Sequence, residues 1–589
     1  MWLVAIVLIL GCLVNLYWSP KLADKLRATV LSSTDSLYSL DFANVSLHFF
    51  SGRIVFDQIH LKPNLEVYNR RKKQHLAPNS LYTLYVKRLT IDHVHPLMLY
   101  FDKKLDITQI AISKPNLRVD YEQNRDQDTI ITGSKTPYQL ISKVLKSIHV
   151  ESIVLDDVKF RYTNHSSSKP DEMQFDQLNF MATEFLLDSV SQKDKTRFLF
   201  CKDLRTELNN YEGTSDDRRY HYKMDNLTFS TGTSQLNITG ISILPISTPE
   251  NFFKTTQSDC FKLKLDSVRL DNFDFRLYSK YHKIYASTLM LGNGSFDIID
   301  NPAPNDTTRD GSNNFPHVLL GQLKMDVRID TVQIRRTNIS YTEFNAQSEQ
   351  WGTIYFNNTS GLLFNVTNNK AALQKNNIAT AKLQSYLMNN GPLDAQFVFN
   401  LTDANAAFSF RGRVSAMDLK KINPVAAPLG MVKIASGKLK SLDFDIHADK
   451  KVAKGPVTVI YNDLKISVLQ KDNENKLKKM GIMSLLANAM VIKRNNPSLN
   501  EAPRTFRVNY VRKRSQSIFT YMWKSLFLGI KSSAGYDATT EQTVKKKITD
   551  FTTGKAERKA KKALRIQHRN ERRQRREELK QKNELRKQQ

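Results

Sequence analysis

The residues able to make or break bonds are few and scattered. His93 and His95 alternate along one stretch, so they share a face, but no third ligand sits at metal spacing. The thiols are Cys12, Cys201 and Cys260. Cys201 and Cys260 either pair in an oxidising compartment or stay as separate buried thiols. Gly437-Lys438 lacks the upstream glycine that a phosphate-binding loop needs, and neither a nucleophile elbow nor a paired-histidine metal helix occurs. Asn-x-Ser/Thr triplets, as at Asn226, Asn237, Asn338 and Asn365, are no more than chance supplies in a chain rich in these residues. An enzyme is the least expected class, and no cofactor or metal is implied.

What the chain repeats instead is the chemistry of hydrocarbon. In ITQIAISKPNLRVDY the apolar positions are Ile107, Ile110, Ile112, Pro115, Leu117, Val119 and Tyr121. The same spacing returns as Val150, Ile153, Leu155, Val158, Phe160 and Tyr162. It returns as Leu265, Val268, Leu270, Phe273, Phe275 and Leu277, and as Ile329, Val332, Ile334, Thr337, Ile339 and Tyr341. Weaker copies run through Phe56, Ile59 and Leu61, and through Phe175, Leu178, Phe180, Thr183 and Phe185. Alternation is the period of a strand with one greasy face and one wet face. Twice in each copy it skips an extra residue. A skip is either a tight turn, for which Asp156-Asp157 and Asp271-Asn272 are suited, or a bulge that returns the apolar set to one face. Two turns would leave strands of about three residues, so at least one bulge per copy is expected.

The elements that must carry these faces follow from the totals. At 589 residues, 40% hydrophobic and 25% charged, the chain is several domains or one elongated array. Net charge is +29, which invites an anionic membrane or nucleic acid. From Lys545 to Gln589, 18 Lys/Arg face 6 Asp/Glu, so much of that excess is one tail. No nucleic-acid-binding motif accompanies it, and the tail has no aromatic residues for base stacking beyond Phe551. Nucleic acid is not expected as a partner.

Taken in order, residues 2–18 carry no charge and are about long enough to span a bilayer, with Trp2, Tyr17 and Trp18 at the ends. The expectation is an uncleaved anchor over 1–19. A cleaved signal peptide and a lipid-attachment box at Cys12 are rival readings, and both want a basic segment in front that is missing. Lys21, Lys25 and Arg27 after the span favour a cytoplasmic body by charge count, a weak rule for large domains. A short stalk helix and a first β unit occupy 20–125, with Gly52 in a hairpin or bulge. A middle β-groove occupies 126–300, with an amphipathic helix over 137–148. Residues 301–316 read as a loop and boundary. A second β unit occupies 317–470, with a hairpin turn at Asn389-Asn390-Gly391. Residues 471–535 hold apolar helices, Met480–Ile492 and Ile518–Ile530, after or between which Thr505–Val511 is one last strand. The latter helix either caps the sheet or docks on a membrane through Phe519, Trp523 and Phe527, with Arg512, Lys513 and Arg514 meeting headgroups. A basic helical or disordered tail fills 536–589.

The segment FRGRVSAMDLKKINPVAAPLGMVKIASGKLKSLDFDIHAD, Phe410 to Asp449, with GPVTVIYNDLKISVL after it, resembles the C-terminal part of the AsmA family of bacterial envelope proteins. The opening FFSGRIVFDQIHLKP, with the apolar segment before it, resembles the family's start. Together these cover about half of the chain. The resemblance implies a TamB-like member of the bridge-like lipid-transfer proteins, anchored once in a bacterial inner membrane with its body in the periplasm. It implies phospholipid as the ligand, other envelope proteins as partners, and a part in outer-membrane assembly.

The expected fold is therefore mainly β: an elongated, curled antiparallel sheet forming an apolar groove. The residues expected to line it are Ile110, Ile112, Leu117, Val119, Ile153, Leu155, Phe160, Val268, Leu270, Phe273, Phe275, Val332, Ile334, Ile339, Leu442 and Phe444. A face this greasy must be buried against something. Few helices are available, so acyl chains or a second sheet must do it. The second case would give an anchored scaffold of stacked β-sandwiches.

Overall fold

A computed structural model of the chain describes residues 21–535 and 560–580, with residue 583, apart from 22, 49–50, 96–97, 125–136, 143–144, 167–170, 195, 257, 301–309, 472–476 and 480–492. The N-terminal segment with Trp2, Tyr17 and Trp18 and the expected helix Met480–Ile492 lie outside the described residues, as does most of the tail before 560. No described helix is long and apolar enough to cross a membrane.

Alternating apolar residues produce strands throughout, and these join into one large curled sheet of twenty-four strands. It begins with β1 (Tyr38–Asp41) and β2 (Asn44–His48), both on β3 (Arg53–Pro63). Then come β4 (Ser80–Val94), β5 (Lys104–Ser113), β6 (Asn116–Tyr121), β7 (Ser147–Asn164), β8 (Asp171–Leu187), β9 (Asp203–Thr214), β10 (Tyr220–Ser230), β11 (Gln235–Pro245) and β12 (Cys260–Asp271). The second half is β13 (Ile284–Leu291), β14 (Gly294–Ile299), β15 (Val327–Asn345), β16 (Gln350–Thr367), β17 (Ile378–Leu387), β18 (Gly391–Asn400) and β19 (Phe408–Val414). It ends with β20 (Met417–Asp418), β21 (Val432–Ala448), β22 (Val452–Lys471), β23 (Leu477–Lys479) and β24 (Thr505–Val511). Pairing follows chain order. Five positions are shared by two short strands, so the ribbon is nineteen strands wide among the described residues. At about 4.8 Å per strand it spans roughly 85–90 Å.

Among the helices that punctuate the ribbon are α1 (residues 23–33), α2 (Pro137–Ile141), α3 (Phe275–Tyr281), α4 (Pro316–Gln322), α5 (Asn423–Gly430) and α6 (Ile518–Ser533). Four expectations are corrected by this layout. First, the sheet is mixed. β5 and β6 run parallel to β7, and β13 and β14 run parallel to β15. A parallel neighbour needs a crossover rather than a hairpin. The two long connections that supply it run from β6 to β7, carrying α2, and from β14 to β15, carrying α4 and including the stretch read as a boundary. The sheet continues across residues 301–316 without a break. Second, the helix expected over 137–148 ends at Ile141, and β7 begins at Ser147. Third, α1 is no free stalk: Ala23 and Leu26 pack with Phe42, Phe56, Ile59 and Val86 on the first strands. Fourth, Phe273 and Phe275 leave the sheet. Asn272 is left-handed (φ 52), and the Asp274 side chain accepts the Leu277 N–H to start α3.

The skips share one backbone chemistry: the later one is a bulge within β7 and β15 and a strand end after β5 and β12. The second residue of the later skip is left-handed in every main copy: Lys114 (φ 50), Asp157 (φ 53), Asn272 (φ 52) and Arg336 (φ 40). The earlier skip is met by a left-handed residue on the neighbouring strand: His93 (φ 56), Glu184 (φ 53), Gly240 (φ 64) and Asn365 (φ 60). Within β7 the Asp157 bulge lets Leu155 pair with Phe180 and Val158 with Leu178. Both therefore stay on one face despite the odd spacing.

Candidate functional site

Following the pairing from strand to strand traces what the repeats build. One lateral row begins Val45, Phe56, Leu89, Ile112, Leu155, Phe180, Thr206 and Phe229. It continues as Leu236, Leu270, Leu289, Val332, Leu363, Ala381, Phe397, Phe410 and Ile446. Directly paired residues share a face, so this is one continuous stripe over seventeen strands, interrupted in polarity only by Thr206. Two residues along, a second row runs Val158, Leu178, Leu208, Leu227, Ile238, Val268, Leu291, Ile334, Gly361, Leu383, Ala395, Gly412, Phe444 and Val457.

The residues singled out from the sequence fall into these rows or beside them. Ile112, Leu155, Leu270 and Val332 are in the first, and Val268, Ile334 and Phe444 in the second. Ile110 and Ile153 pair directly, as do Leu117 and Phe160. Val119 lies two residues beyond Leu117 on the same face. Ile339 joins Phe296 and Phe356, and Leu442 joins Val414 and Val459. Phe273 and Phe275 are the exceptions. They pack against Phe229 at the end of β10, with ring centroids 6.0 and 4.6 Å away, and form a side wall rather than floor. One full copy escapes the sequence pattern: Ala286, Leu289, Leu291, Gly294, Phe296 and Ile298 pair position by position with β15. Its signal is hidden because Gly294 stands where the copies carry an apolar side chain.

The opposite face carries ion pairs, across strands as in Arg88–Asp57 at 2.8 Å and along one strand as in Arg205–Asp203 at 2.8 Å. Arg413 and Asp443 also bond there. A hollow of about 1070 Å³ is on this side among Arg411, Arg413, Asp394 and Asp443; Arg413 bonds Asp443, Arg411 donates to Gln396, and Asp394 accepts from Gln384.

Among the described residues, cover on the apolar floor is concentrated at its two ends. α1 lies over the first strands. α6 lies over the last ones, in a cluster with Phe315, Phe408, Phe410, Ile446, Val457, Tyr461 and Val508. Gly529 permits that approach, since a Cβ there would lie 2.6 Å from Val457 Cγ2. Between the ends, the cluster around Val327, Ile329 and Val332 draws only on neighbouring strands of the same sheet. Most of the floor side chains there, Ile153, Leu155, Val268 and Leu270 among them, are half-buried.

Beneath α6 the contact is incomplete. A cavity of about 760 Å³ separates the helix residues Phe519, Met522, Trp523, Leu526 and Phe527 from the floor residues Phe356, Phe397, Phe410 and Phe444. Its polar lining is sparse. The Tyr341 hydroxyl is bonded to Thr520 at 2.6 Å, and burial pushes it well above its ordinary range, so it stays protonated. The Tyr461 hydroxyl donates to the Lys493 carbonyl at 2.8 Å. Sealed and empty, a void this size would cost on the order of 18 kcal/mol, more than a domain's net stability of about 5–15 kcal/mol. It must be filled or open. A second apolar pocket of about 330 Å³ lies under α4, against Leu363, Ala381 and Phe399.

Of the expected membrane-docking set, Phe519, Trp523 and Phe527 face this cavity. Arg512 is corrected outright: its side chain is 3% exposed, 2.6 Å from Asp310, and donates to the Lys450 and Arg514 carbonyls. A guanidinium so enclosed cannot meet headgroups. Lys513 and Arg514 are exposed. Cys201 and Cys260 are separate buried thiols, each pushed up by burial, Cys260 to about 11. Comparison with models of known protein families and with curated proteins finds no match.

Proposed function

We propose that the protein shelters phospholipid acyl chains on this floor, as an AsmA-like, inner-membrane-anchored component of a bacterial envelope that moves lipid or assists outer-membrane assembly. The observation that carries the reading is the continuous row from Val45 to Ile446, apolar at every position but Thr206, with little of the described chain lying over its middle. Acyl chains would rest on the floor while headgroups stay in water. Each methylene so buried is stabilised by about 0.8 kcal/mol. Because neighbouring positions are chemically alike, no step along the row is a deep trap, and hydrocarbon can slide. No bond is made or broken, so no catalytic residue is invoked. The body lies in the periplasm on this reading.

The rival, a scaffold of stacked sandwiches, needs two sheets about 10 Å apart filling each other's faces. A single ribbon paired in chain order argues against it. The test is binding of a fluorescent phosphatidylethanolamine to the purified full chain, followed on native gels. Wild type retains the label. Val268→Asp and Ile334→Asp, each placing a charge in the second row, lose it while keeping the far-ultraviolet signature of the sheet. Label retention by both variants, or none by wild type, rejects the reading.

A further inference from the structure

We infer that the cavity between α6 and the floor is a covered terminal chamber that holds an acyl chain of a membrane lipid. The inference rests on the reading above, and assigns one stretch of the floor a different task. Elsewhere a chain would lie on an open surface; here it would be enclosed on two sides. One wall is the floor itself, since Phe397 and Phe410 belong to the same lateral row as Leu155 and Leu270. The other wall is one face of α6, with Met522, Trp523 and Phe527 aimed inward.

Three features point to hydrocarbon as the occupant. The space, about 760 Å³, falls in the range of about 300–1,000 Å³ that ligand pockets occupy. Its lining is aromatic and aliphatic, and the Tyr341 and Tyr461 hydroxyls are already spent on protein partners. A polar ligand would find few groups to bond, and water would be poorly held for the same reason. Finally, this face of the helix stands off the floor although the surface between them is mainly apolar, with Gln347, Gln470 and Lys531 as the polar side chains beside the two tyrosines. Its seat is fixed by polar contacts: Lys524 Nζ is 2.7 Å from Glu343, Thr520 bonds Tyr341 at the chamber's edge, and Ser533 donates to the Val457 carbonyl at 3.1 Å. The polar fastenings set the gap and the gap sets the room for a chain.

The test uses the full chain in vesicles containing phosphatidylethanolamine with a diazirine at the end of one acyl chain. After illumination, adducts are located by peptide mass spectrometry. Adducts are expected on both walls: in the strands bearing Phe397 and Phe410, and in the helix bearing Met522 and Phe527. Ala395→Phe, which fills the chamber from the floor, loses both sets and keeps adducts near Val268 and Ile334. Ala426→Leu fills it from α5 and serves if Ala395→Phe does not fold. Adducts confined to the middle of the sheet would overturn the chamber and leave the groove standing. Adducts on α6 without any on Phe397 or Phe410 strands would overturn it in favour of a helix that docks on the bilayer. No adducts anywhere would overturn both readings.

Discussion

At the scale of the residue, the sheet depends on where the chain turns left-handed. Asp157 and Arg336 occupy that conformation inside strands, at φ 53 and 40. Non-glycine residues pay about 1–2 kcal/mol for it, and Asn or Asp the least. Arg336→Val should lower stability by about 1–2 kcal/mol, whereas Arg336→Asn should leave it unchanged or higher. The midpoint of urea unfolding checks this, and a harmless Arg336→Val would mean that the bulge is not what keeps Ile334 and Thr337 on one face. This layer was partly legible beforehand. The odd skips called for at least one bulge per copy, but Asp156-Asp157 was suited to a tight turn and instead sits in a bulge inside β7. The left-handed partner on the adjacent strand was not legible, because His93 and Glu184 are not residues that announce it. Nor was the copy through Gly294, where the apolar position is filled by glycine beside β15. Asp271-Asn272 misled in a different way. The skip is real, but Asp274 caps a helix, and a local cap outweighs one more pair of strand residues.

At the scale of the element, α6 was recognisable from its dense apolar run. Its two possible destinations, sheet or membrane, could not be separated because an apolar helix face fits either. The distinguishing contact lies far away in sequence. Arg512 reaches Asp310, whose carboxylate also accepts from the Ser312 backbone and hydroxyl. Burial works to raise the Asp310 carboxyl, but these bonds and the guanidinium outweigh it and hold it down at about 2. A carboxylate depressed in the folded state contributes stability above its unfolded value of about 3.9 and loses it as pH falls through the folded one. The contribution here is on the order of 2 kcal/mol. Asp310→Asn should therefore melt below wild type at pH 5 to 7, and the gap should close between about pH 4 and 2. Thermal unfolding across that range checks it. A gap that persists unchanged at pH 2 would show that the fastening of the α6 approach is not electrostatic.

At the scale of the molecule, periodicity foretold a long greasy face and the pairing order turned it into a single surface. Sequence alone could not supply the parallel joins at β7 and β15. A crossover is set by the connection's path over the sheet, which residue pattern does not encode even where, as over 137–148, it marks a helix. The ribbon's roughly 85–90 Å limits what it does alone. If lipid travels further, another chain must extend the path. Everything in this account rests on hydrocarbon occupying the floor. The most direct measurement is native mass spectrometry of the intact chain released gently from detergent. The account predicts wild type carrying diacyl-lipid mass in most molecules, and Ile334→Asp emerging largely bare while still folded. A wild-type chain that flies bare, under conditions that preserve lipid on a control membrane protein, would contradict it.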